Sequence, residues 1–198
     1  MKAIRFISIL IVGLLLINIT YNSQFEVSLA DGLSWFVLIF IGICLLIWTL
    51  VTDIKRYRFE KKVSSFGFTV LCLLIIAIVS LLEVKIQRVF NQTTLLKVFY
   101  DGDFNGVGID FKKNGTYIFD NSSIGSSNYT YGTYQISGDS ITLDRNKIGN
   151  VSGLKHLVIK PKSNPDSSKT DMYLFSINEK GDMLAHSLVF RITVDNRE

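Results

Sequence analysis

The chain has 198 residues, two Cys, two His and a formal net charge of +4, which excludes a collagen, a disulfide scaffold and a disordered chain. Its 48% hydrophobic content hides two unlike parts: apolar and aromatic types fill 57 of residues 1–92 but only 38 of the remaining 106. The charge divides as well, nine basic against five acidic residues in 1–92 and twelve against twelve in 93–198. The pI near 9.0 is therefore a membrane-topology signal. It is no nucleic-acid footprint, which would gather Lys and Arg on one folded face.

Three stretches carry no charged residue: 6–25, 32–52 and 63–82. Each matches the roughly 20 apolar residues a helix needs to cross a bilayer with its backbone bonded internally. They predict three transmembrane helices in residues 1–92, the third continuing to about 92 through Val84, Ile86, Val89 and Phe90. Asn18, Thr20, Asn22, Ser23 and Gln24 dilute the end of the first span, while Trp35 and Trp48 stand near the ends of the second as interfacial anchors. The first span has the shape of a secretory signal, but no small-x-small cleavage site follows, so it reads as a retained helix. No ionisable residue falls inside these stretches, so no proton or ion path is expected. Cys44 and Cys72 read as mid-span apolar fillers rather than a disulfide.

No Lys or Arg lies between the first two spans, where Glu26 and Asp31 occur. The loop of residues 53–62 holds Lys55, Arg56, Arg58, Lys61 and Lys62. The positive-inside rule then predicts a multi-pass protein of the bacterial inner (cell) membrane. Its N-terminus is cytoplasmic and its C-terminal domain periplasmic or extracellular.

From about Thr93 the apolar period changes to two. Val107, Ile109 and Phe111 alternate with Gly108, Asp110 and Lys112. Asn114-Gly115 follows, a strong hairpin signal with both turn positions expected at positive φ, and Tyr117 and Phe119 return. Further strands are expected at 95–100, 129–136, 140–144, 156–160, 172–177 and 184–194. Turn residues at 137–139 and 178–182, and a polar loop from Pro161 to Asp171, separate them. About eight short strands in sequence predict an antiparallel β-meander, closed as a barrel or half-barrel, in residues 93–198. The fold class is membrane α plus all-β.

The run Phe111-Lys112-Lys113-Asn114-Gly115-Thr116-Tyr117, followed by Gly132-Thr133-Tyr134-Gln135-Ile136-Ser137-Gly138-Asp139-Ser140-Ile141-Thr142-Leu143, resembles the lipocalin-like β domains of small bacterial envelope proteins. The resemblance covers residues 111–143. It implies a lipocalin-like fold and an envelope-exposed domain, often without a known ligand.

Candidate site residues are few. Asp101, Asp103 and Asn105, in the run Asp101-Gly102-Asp103-Phe104-Asn105-Gly106, match the opening of a calcium loop, whose alternating oxygens curl round a hard cation. The twelfth position is Lys112, where such loops need a bidentate Glu, so the other reading is a tight polar hairpin turn. His186 falls on the apolar phase of the last strand and reads as a rim or core histidine. Tyr117, Tyr129, Tyr131, Tyr134 and Tyr173, with Phe111, Phe119, Phe175 and Phe190, suit either a filled core or a small-molecule cavity. No nucleophile–base pair, Cys-x-x-Cys, His-Glu-x-x-His or phosphate loop occurs. The sequence therefore predicts a non-enzymatic membrane protein without a cofactor. It presents its β domain to an envelope protein partner or a ligand, and no nucleic acid is implicated. A carrier with its ligand inside the barrel, and an accessory subunit of a larger membrane complex, are the alternatives.

Overall fold

A computed structural model describes residues 2–163, 170–184 and 188–197. The chain divides into two compact units, Met1–Val89 and Phe90–Glu198. His186 and most of the polar loop expected before Asp171 lie outside the described residues.

The first unit is built on three helices: α1 (Lys2–Asn22), α2 (Leu29–Glu60) and α3 (Gly67–Phe90). A 3₁₀ turn, Val63–Phe66, leads into α3. All three are long and apolar enough to cross a membrane. Ser28 caps α2: its Oγ accepts from the Asp31 backbone N–H at 3.1 Å and donates to Asp31 Oδ2 at 2.6 Å. Lys61, in the left-handed region at φ 53°, ends it. The basic segment expected as a loop is thus mostly the last turns of α2, where Arg56 and Glu60 pair at 2.8 Å. At ~1.5 Å per residue, 32 residues reach well beyond the hydrocarbon thickness.

On α1 the buried residues are Arg5, Ile9, Gly13, Leu16 and Thr20, spaced by four, four, three and four, which is one helix face. Gly13 lets α1 come close to α3 there: a Cβ would come within 2.5 Å of the end of the Ile75 side chain, which would have to shift. Towards the other end of that face, Trp35 donates to Thr20 Oγ1 at 3.4 Å.

The second unit is an eight-stranded antiparallel barrel. Its strands are β1 (Thr94–Gly102), β2 (Asn105–Lys112), β3 (Thr116–Ser123), β4 (Ser126–Ser137), β5 (Ser140–Leu143), β6 (His156–Ser163), β7 (Thr170–Ile177) and β8 (Val189–Asp195). Each pairs with the next in sequence, and β8 pairs with β1, so no strand is left with a free edge. Where the sequence predicts a strand over 184–194, residues 185–187 lie outside the described ones and the described strand is Val189–Asp195; Met183 makes an isolated bridge to Ile177.

Two turns differ from the sequence expectation. At Asn114-Gly115 only Gly115 takes positive φ, at 83°. Gly115 N–H bonds to Lys112 O at 3.1 Å, and Asn114 Oδ1 accepts from Thr116 N, so Asn114 works through its side chain rather than a left-handed backbone. Between β5 and β6, Lys147–Ile148 and Val151–Ser152 form a small hairpin with no apolar alternation to announce it. It carries Ile148 and, just after, Leu154 into the core, each 1% exposed.

The barrel interior follows the two-residue alternation. Leu96 and Val98, then Val107, Ile109 and Phe111, then Tyr117 and Phe119 point inward, joined by Tyr134, Leu174 and Phe190 in one continuous cluster. Gly132, paired with Tyr117 across β3 and β4, makes room for that tyrosine ring. Replacing Gly132 by Ala should therefore overpack the interior and cost about 1–3 kcal/mol. Thermal melting of the full chain in detergent, followed by the far-ultraviolet β signal, should show a lower midpoint; an unchanged midpoint would contradict this packing.

Candidate functional site

The expected calcium ligands all fall on the hairpin between β1 and β2. Asp101 is the last residue but one of β1, Asn105 opens β2 and Gly102 pairs with Asn105. Asp103 sits at the tip with φ 64°, and Phe104 N–H reaches back across it to Gly102 O at 2.8 Å, a three-residue γ-turn. Asp101 Oδ1 accepts from the Asp103 backbone N–H at 3.2 Å. Of the two readings of this run, the carboxylate of Asp101 serves the tight polar hairpin turn. Among the described residues no three His, Cys, Asp or Glu side chains gather in a set that could hold a metal ion.

Lys112, which occupies the twelfth position of that pattern, has a different use. It is 2% exposed. Its Nζ donates to Phe90 O at 2.8 Å, to Gln92 O at 3.1 Å and to Asp110 Oδ2 at 2.8 Å. Two of these acceptors are main-chain carbonyls at and just beyond the end of α3, where the helix leaves carbonyls without internal partners. The third is a carboxylate that balances the charge. All three donor positions of the ammonium are thereby filled.

The aromatic side chains divide into two sets. Phe111, Tyr117, Phe119, Tyr134 and Phe190 belong to the core. Tyr129 and Tyr131 instead meet Phe90, edge-on, at 5.0 and 6.3 Å between ring centres. Burial raises the Tyr131 phenol to about 12, with neighbouring Tyr129 adding to it. Tyr117 is raised further, by burial and then by its hydrogen bond to Asp144 at 2.9 Å. Arg145 and Tyr117 hold Asp144 below the usual carboxylate range. Burial pushes Asp120 on β3 the other way, up.

The most heavily charged buried site is in the helical unit, where the sequence reading placed none. Arg5 and Asp53 each lie one residue outside the uncharged stretches, yet α1 and α2 extend past those limits and carry both inward. Arg5 is 4% exposed and Asp53 fully buried. Arg5 Nη2 lies 3.0 Å from Asp53 Oδ1, and the guanidinium carbon sits 4.1 Å over the Phe68 ring. Asp53 Oδ2 accepts from both the backbone N–H and the hydroxyl of Thr69, at 3.1 and 2.9 Å.

Thr69 is the third residue of α3, so its N–H is one of the four a helix start leaves unpaired. Asp53 therefore caps α3 from a neighbouring helix, and its negative charge meets the positive end of the α3 dipole. One carboxylate joins all three helices. Ser65, also buried, precedes Thr69 by one turn. Arg5 and Asp53 are held as an ion pair rather than a hydrogen-bonded one, since Arg5 Nη1 and Asp53 Oδ1 make no hydrogen bond, and opposite charges buried together suit a structural clasp. The four-residue spacing from Arg5 to Ile9 was the sequence signal that placed Arg5 on the inward face.

No protein-family model, curated protein or solved structure matches the chain.

Removing one partner of this clasp would leave a buried charge uncompensated. Arg5→Met or Asp53→Leu alone should cost about 3–5 kcal/mol, while the double substitution should recover most of that loss. Both tryptophans of the chain, Trp35 and Trp48, lie on α2. Tryptophan fluorescence during denaturation in detergent therefore reports the helical unit alone. Equal losses that simply add in the double variant would show that the two groups do not interact.

Proposed function

We propose that the chain is a multi-pass protein of the bacterial cell membrane. Its barrel is a non-enzymatic binding module displayed in the periplasm or outside the cell, and its target is a partner protein. The asymmetry of charge supports the direction: Lys55, Arg56, Arg58, Lys61 and Lys62 cluster at one end of α2, and no Lys or Arg lies between α1 and α2. The meander order of the strands supports kinship with lipocalin-like domains.

The observation that carries the binding mode is the barrel interior. A continuous cluster of sixteen buried side chains occupies it. An eight-stranded barrel is just wide enough to be filled by its own side chains or to hold one small ligand, and the buried cluster supports the first course. Recognition then falls to the outside. There Phe104 and Ile124, 74% and 78% exposed, stand at the tips of the β1–β2 and β3–β4 hairpins. These tips are neighbours, because Asn105 pairs with Ser123. Two large apolar side chains held side by side in water suit an interface anchor.

Reporter fusions at Glu198 should be active only outside the cytoplasm; cytoplasmic activity would overturn the topology. Photo-crosslinking residues placed at 104 and 124 in living cells should give one discrete protein adduct. That adduct should weaken at least several-fold when the other tip is changed to Ala. Crosslinks to lipid alone, or a small molecule recovered from the barrel, would overturn the protein-binding reading.

A further inference from the structure

The helical unit holds a second feature that the Arg5–Asp53 clasp does not use. A cleft of about 530 Å³ runs between its three helices. Its walls are apolar, with Ile9 and Leu16 from α1, Ile39 and Leu46 from α2, and Ile75 and Val79 from α3. At one end Trp35 and Glu83 line both this cleft and an adjoining cavity of about 640 Å³. The second cavity is mixed: Ile19, Phe25, Val27 and Phe36 line it beside polar groups. Glu26, Asp31 and Glu83 supply three carboxylates, and Asn18 and Asn22 supply amides. Among the described residues no Lys or Arg lines either cavity.

We propose that the two cavities form one site for a membrane lipid, with an acyl chain in the cleft and an amine-bearing head among Glu26, Asp31 and Glu83. The tail assignment follows from the solvent. A cleft walled by aliphatic side chains, in helices that lipid surrounds, is filled most cheaply by hydrocarbon. Water there would have few polar partners. A second helix, about 10 Å across, is a poor match for a space of 530 Å³, whereas that volume is in the range of small-molecule sites.

The head assignment follows from charge. Asp31 is engaged by Ser28 at the start of α2, but neither Glu26 nor Glu83 has an ion-pair partner among the described residues. Carboxylates gathered at the mouth of an apolar cleft repel an anionic head and attract an ammonium. Glu83 belongs to both cavities, so it stands where head and tail would meet. The site does not depend on what the barrel binds.

The test uses the full chain in nanodiscs holding equal amounts of phosphatidylethanolamine and phosphatidylglycerol, released and weighed by native mass spectrometry. The wild-type chain should retain the amine-headed lipid at least fivefold over the anionic one. Glu26→Gln with Glu83→Gln should abolish that preference while leaving lipid bound. Gly42→Leu should fill the cleft and remove retention of both lipids. Gly42→Ala, whose Cβ would sit 3.8 Å from Leu16, should behave as wild type. Tryptophan emission identifies any variant that has lost its fold. Brominated acyl chains should quench Trp35 in a Trp48→Phe background, and Gly42→Leu should relieve the quenching. Equal retention of the two lipids, unchanged retention in folded Gly42→Leu, or a lipid-free mass of two chains would overturn the proposal.

Discussion

The Arg5–Asp53 pair is the one buried pair of opposite charges described in the helical unit, and it ties α1 to α2. A helix bundle in hydrocarbon gains little from pressing one aliphatic face on another, because lipid tails offer the same contact. Polar groups that must find each other supply direction instead. Asp53 on α2 takes the guanidinium of α1 with one oxygen and the first-turn N–H and hydroxyl of Thr69 on α3 with the other. The close approach of α1 to α3 at Gly13 and the Trp35–Thr20 contact follow the same inward stripe of α1. Rotating α1 by one residue about its axis would take Arg5, Gly13 and Thr20 out of place together.

The barrel solves a comparable problem with Lys112. Burying an ammonium is costly unless every N–H has an acceptor. Here the acceptors are the Phe90 and Gln92 carbonyls and the Asp110 carboxylate, so the residue that satisfies its own charge also satisfies two main-chain carbonyls at the start of the second unit. In both units a single charged side chain satisfies main-chain groups that have no partner within their own element. The difference is the solvent outside. The barrel can rely on sixteen interior side chains withdrawn from water, whereas lipid withholds that driving force from the helices.

Much of this architecture was legible because it rests on period and length. Three uncharged runs gave the helices, and alternation from Val107 to Phe111 gave the sheet. What was lost lay where the reading used charge as a boundary. Ending each span at its last neutral residue put Arg5 and Asp53 outside, although nothing stops a helix at a charge that has a partner. The 147–152 hairpin was invisible because two-residue strands are too short to show alternation. Asn114-Gly115 was read as a turn correctly, but with the wrong backbone. Asn114 spends its side chain on Thr116, and only Gly115 adopts the left-handed form. The aromatic residues could not be apportioned from sequence at all. Phe111 and Tyr131 look alike in a strand pattern, and only the register decides that one enters the core while the other meets Phe90.

That same register bears on where recognition can occur. A strand pattern rich in Tyr and Phe is equally compatible with a lined cavity and a filled core, and the two imply different kinds of function. Gly132 shows how local that packing is: without a side chain, it leaves the ring of its cross-strand partner Tyr117 room to lie over the strand. The γ-turn at Asp103 is equally local. Its left-handed backbone is unfavourable for a non-glycine residue, and Asp101 gives up a carboxylate oxygen to hold it. The hairpin that results leaves Phe104 exposed at its tip, with Ile124 on the neighbouring hairpin. Buried aromatic side chains inside the barrel and exposed apolar ones at its hairpin tips thus come from the same two-residue alternation, interrupted only at the turns.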